Sequence, residues 1–127
     1  MRIANLLSAI VVLMTGCATH AYDVVIFNAT SNLIDRASVN YGSFKSGGGL
    51  MAPGSNSHHL DVRTPIPEKA TVVWMSKDAK QHEQIVEVSG KVPKSFKGKL
   101  FFKIKEDDKV DVIPITEDDY YKKGKRP

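Results

Sequence analysis

The side chains able to do chemistry are few and widely spaced. Cys17 is the only thiol, and it stands where an apolar run over 3–14 gives out. A lone Cys excludes an internal disulfide and a multi-cysteine metal site. His58 and His59 are adjacent, so on a strand their rings point to opposite faces and cannot share one ion. One of that pair with His82 and a carboxylate such as Asp61 has the donor set for zinc. Surface histidines at loop-proximal strand ends are the simpler reading, and no metal site or cofactor is assigned. Neither a G-x-S-x-G elbow nor an H-E-x-x-H helix occurs. The glycines at 47–49 lack the Lys-Ser/Thr and the following helix of a phosphate loop. They read as a flexible turn, or as a point where a partner comes close to the backbone. Asn28-Ala29-Thr30 matches a glycosylation sequon. No catalytic residue emerges, so the expectation is a protein that is not an enzyme.

The most specific signal is at the start. Arg2 is followed by about twelve apolar residues, the length of a signal peptide and too short for a permanent membrane span. The run ends in Leu13-Met14-Thr15-Gly16-Cys17, which resembles the lipobox of bacterial lipoproteins. Met14 stands where Leu is usual. The resemblance implies cleavage before Cys17 and a diacylglyceryl group on its sulfur. Each buried methylene would contribute about 0.8 kcal/mol, so the anchor would be effectively permanent. By resemblance to enterobacterial-type lipoprotein sorting, Ala18, where an Asp would signal retention, implies the outer membrane facing the periplasm. An ordinary signal peptide cleaved after Ala21 is the alternative. His20 falls in the linker.

The elements that must position anything else are strands. The chain has 127 residues, room for one domain, with 42% hydrophobic and 25% charged side chains, which argues against disorder. The formal charge of +4 is too small and too interleaved with acids to imply nucleic-acid binding. Apolar, β-branched stretches recur at 22–28 (YDVVIFN), 38–41, 57–62, 71–76 (TVVWMS), 84–88, 100–105 (LFFKIK) and 110–115. Polar turns at 29–32, 77–80 and 106–109 separate them, and Pro65 and Pro67 keep 64–68 extended. No stretch keeps a helical period. About seven such strands predict an all-β fold, a single antiparallel β-sandwich of immunoglobulin-like or transthyretin-like form. Val24, Ile26, Val72, Trp74, Val86, Val88, Leu100, Phe102 and Ile104 should fill the core. Phe101 should face outward with Lys103 and Lys105, and His58, Leu60 and Val62 should share a face. The organisation expected is a signal peptide at 1–16, a lipidated Cys and linker at 17–21, the sandwich at 22–115 and a charged flexible tail at 116–127.

A rigid sandwich presenting loops suits a binding module. One candidate surface is the glycine-rich stretch 44–51, with Phe44, Leu50 and Met51 as apolar contacts. The other is 91–99, where Lys91, Lys94, Lys97 and Lys99 surround Phe96 without an acid, suited to an acidic partner or an anionic membrane.

The lipobox at Cys17, an early strand ending in Asn28-x-Thr30, glycines 47–49 followed by Pro53-Gly54, and a proline-led strand from Ile66-Pro67 to Trp74 together resemble one family. It is that of small outer-membrane immunity lipoproteins encoded beside type VI secretion effectors of the lipase and phospholipase class. The resemblance implies that the protein binds and blocks such an effector in the periplasm. A structural or accessory lipoprotein of an envelope or secretion complex is the alternative.

Overall fold

The computed structural model of the chain describes residues 21–127; the expected signal peptide, Cys17 and the linker to His20 lie outside the described residues. The strands are β1 (Tyr22–Asn28), β2 (Asp35–Tyr41), β3 (Phe44–Lys45), β4 (Asn56–Val62), β5 (Lys69–Met75), β6 (Gln81–Glu87), β7 (Gly98–Ile104) and β8 (Val110–Thr116). They form two four-stranded sheets, β4-β1-β7-β8 and β3-β2-β5-β6, the expected β-sandwich. The immunoglobulin order groups the first, second, fifth and fourth strands in one sheet. Here β1 and β2 lie in different sheets, so the strand order is not the immunoglobulin one. Neighbouring strands are antiparallel except β1 and β7, which run parallel from Asp23 opposite Lys99 to Asn28 opposite Ile104.

Alternation drives each strand's inner residues into the space between the sheets. Every residue expected in the core is there, with Val86 at its half-buried rim on edge strand β6. Trp74, Leu100, Phe102 and Ile104 are fully buried. Gly98 is required by close approach, because a Cβ there would meet the Ile115 carbonyl oxygen of β8 at 2.2 Å.

Two expectations are corrected. Phe101 does point out of the sandwich, yet it is only 2% exposed. It belongs to a second cluster with Val25 and Ile115, closed by Ile113 and Tyr120. The cover comes from the segment expected as a flexible tail. Asp118–Lys122 forms a single π-helical turn whose Tyr120 ring lies 6.3 Å from that of Phe101, with the Arg126 guanidinium 4.0 Å above Tyr120. The second correction is on β4. A bulge shifts its register from Tyr22 opposite Val62 to Val24 opposite His59, with Asp61 at φ 57°. His59, not Leu60, therefore shares the inward side of Val24, and Leu60 is left exposed.

The sandwich has two ends. β1 covers about 20 Å from Tyr22 to Asn28. At the Tyr22 end lie the connections 63–68 and 88–97. At the far end the connections 29–34, 76–80 and 105–109 meet.

Candidate functional site

The far-end connections enclose a cleft of about 590 Å³. Asn28, fully buried at the end of β1, holds its walls. Its amide nitrogen donates to the carbonyls of Asn32 and Met51, both at 2.9 Å, and its side-chain oxygen accepts from the Thr30 N–H and hydroxyl. The sequon asparagine is thus wholly used inside the protein. The Ser31 N–H donates to the Glu106 carboxylate and so joins two of the connections.

Antiparallel β5 and β6 place Trp74 opposite His82, whose ring stacks on the indole at 5.3 Å and 11°. Ser76 Oγ lies 3.1 Å from His82 Nε2, and the Asp108 carboxylate is 3.8 Å from Nδ1. Serine, histidine and aspartate are therefore in line, but the proton runs the wrong way for a nucleophile. The Ser76 hydroxyl donates to the Asp78 carboxylate, holding that carboxyl below its ordinary range, and so accepts from His82. Sequence reading placed His82 beside a hairpin loop and missed Ser76 and Asp108, which the 76–80 turn and the β7–β8 connection bring to it. The zinc donors it grouped are not brought together. His82 is at the far-end cleft, His59 lies edge-on to Phe44 at 5.0 Å, and His58 is on the outer face. Partial burial and the Lys99 charge hold the His58 imidazole below its ordinary range. Among the described residues no cluster of three His, Cys, Asp or Glu side chains could hold a metal.

The residues singled out for partner binding divide sharply. Phe44, Met51 and Phe96 are buried in the main core, so they are not surface contacts. Met51 pairs with Ile34, and the glycine stretch is laid along β2 by Gly48 N–H to Ala37 O at 3.0 Å and Arg36 N–H to Gly49 O at 3.3 Å. It extends the sheet edge and is not a free loop. Lys99 is buried too, its Nζ 2.9 Å from Asp23 and 5.0 Å above the Tyr120 ring. Burial pulls its ammonium down, but the Asp23 hydrogen bond and charge prevail and raise it. Leu50, Lys91, Lys94 and Lys97 remain exposed. At the far end, Leu33 (43% exposed) and Leu50 (69%) are apolar side chains open to solvent, and sequence reading missed Leu33.

No protein-family model and no curated protein matches the chain. Among solved structures it is similar to the NMR structure of a protein from Eubacterium rectale, with TM-score 0.53 and 13% identity over 77% of this chain and 92% of that one. At that identity the likeness concerns the fold alone.

Proposed function

We propose that the protein is a lipid-anchored, periplasm-facing binding module that holds a protein partner at the far end of its sandwich. The observation that carries this reading is the polarity of the domain. Tyr22, five residues after Cys17, opens β1 at one end, while the cleft, with Leu33 in its lining, and the exposed Leu50 occupy the other. Leu33 set among Lys77, Lys80, Asp78 and Glu106, with Leu50 at the same end, has the make-up of a protein interface, an apolar centre with a polar rim. The resemblance to immunity lipoproteins makes the partner an antibacterial type VI effector of the lipase or phospholipase class. On that reading Cys17 anchors the protein in the outer membrane. The alternative is an accessory lipoprotein of an envelope complex, which would use the same end on a different partner. Cells fed labelled palmitate should mark the wild-type chain and not Cys17→Ala. Residues 18–127 should capture a neighbouring gene's product, and a Leu33→Asp/Leu50→Asp variant should bind it at least about a hundredfold more weakly by calorimetry. Undiminished binding by that variant sinks the far-end site.

A further inference from the structure

We propose that the Tyr22 end is a docking face for an anionic phospholipid bilayer, formed by a lysine-bearing loop around an apolar recess. The loop connects β6 to β7. A 3-10 turn over Ser89–Lys91 and a left-handed Ser95 (φ 56°) fold it so that Phe96 turns into the core while Lys91, Lys94 and Lys97 project into solvent. No acid lies between Lys91 and Lys99. Among the described residues these three ammonium groups form no ion pair. Of the basic C-terminal residues, Lys122 and Lys123 are matched by Asp118 and Asp119, and the Arg126 guanidinium lies over the Tyr120 ring. Lys91, Lys94 and Lys97 thus form a run of three exposed, unpaired cations at this end.

Beside the lysines is a recess of about 450 Å³ walled by Tyr22, Ile66, Val92, Pro93 and Phe96, with Lys94 among its lining. Its lining is mostly carbon, and the Tyr22 hydroxyl is committed to the Thr64 carbonyl and the Tyr41 hydroxyl. A small polar ligand finds few partners there. A bilayer interface offers what both parts need, anionic headgroups for the lysines and an apolar layer beneath them for the recess. Proximity rests on the anchored reading alone. Five residues reach at most about 18 Å, so a lipid on Cys17 holds this end, and not the cleft, against the membrane.

The test needs no anchor. Residues 18–127 contain every strand and both core clusters found among the described residues, so they carry that folded unit. They are sedimented at low salt with vesicles of phosphatidylglycerol and phosphatidylcholine, or of phosphatidylcholine alone. The expected result is binding to the anionic vesicles only, weakened about a hundredfold in Lys91→Glu/Lys94→Glu/Lys97→Glu, because each lysine near such a surface is worth about fivefold. Binding should fade as salt rises. Pro93→Asp, at the recess rim, should weaken it severalfold with the lysines intact. The proposal is overturned if the wild type ignores anionic vesicles, if the triple variant binds equally, or if Pro93→Asp changes nothing. A wild type that ignores vesicles but is retained on polyglutamate would assign the lysines to an acidic protein instead. These results are independent of palmitate labelling, so failure here leaves the Cys17 reading standing, and the reverse.

Discussion

Tyr22 shows how much one hydroxyl can organise. Its proton goes to the Thr64 carbonyl at 2.7 Å, so across the 2.6 Å contact with Tyr41 it must accept, and Tyr41 donates. Burial raises both phenols above their ordinary range. The shared hydrogen bond lowers Tyr22 slightly and raises Tyr41 further, since Tyr41 is the group that gives up its proton to it. An acid whose folded-state pKa is raised stabilises the fold below its unfolded value, about 10, and ceases to do so as pH climbs. Tyr22 and Tyr41 should therefore ionise only as the protein unfolds in alkali, a step visible by phenolate absorbance. Tyr22→Phe removes the link and leaves a half-buried carbonyl and a buried hydroxyl without their partner. It should cost about 1–3 kcal/mol in urea titration at neutral pH, a gap that narrows above about pH 10. Wild-type phenolate signal from all tyrosines well before unfolding would refute the hydrogen-bond assignment.

At the level of elements, β7 and the C-terminal turn depend on each other. Phe101 is covered by Tyr120, so Phe101→Ala should cost about 3–5 kcal/mol, comparable with Trp74→Ala. Removing 117–127 should expose the Phe101 ring, and in that shortened chain the same substitution should cost clearly less. The coupling in this double-mutant cycle is the measurement, and additive losses would mean that the turn does not cover the ring. The alternation of LFFKIK made β7 and its inner face readable from sequence, as did the apolar run around Trp74. The outer cover was not readable in the same way, because a run rich in Asp and Lys has no apolar period. A signal was present nonetheless: Val25, Phe101 and Ile113 sit at outward positions of three strands, and Tyr120-Tyr121 interrupts the charges. The same lesson applies to 44–51. Glycines suggested a loop, but their backbone hydrogen bonds to β2 fix it, and alternation along that irregular edge buries Phe44 and Met51 while leaving Leu50 out. For the cleft, His82 was visible as a residue, whereas its partners come from turns whose meeting depends on how the sheets stack.

On the scale of the whole molecule, the sandwich separates two chemistries by about 20 Å. The far end carries a mixed set of charges around exposed Leu33 and Leu50, and the Tyr22 end carries the unmatched lysines. At physiological salt the Debye length is about 8 Å, so a charge at one end is scarcely felt at the other. Rigid β1 and β7 run the full distance without a hinge, so docking at one end need not rearrange the other. The two ends should therefore act independently. In calorimetry with the captured partner, residues 18–127 carrying Lys91→Glu/Lys94→Glu/Lys97→Glu should keep the wild-type affinity to within about twofold. Combined with Leu33→Asp/Leu50→Asp, the effects should add in free energy, as they do for distant sites without shared partners. Vesicle binding should show the mirror image, lost with the lysines and indifferent to the leucines. A tenfold loss of partner affinity in the lysine variant alone would join both ends into one extended protein interface and leave the membrane no face of its own.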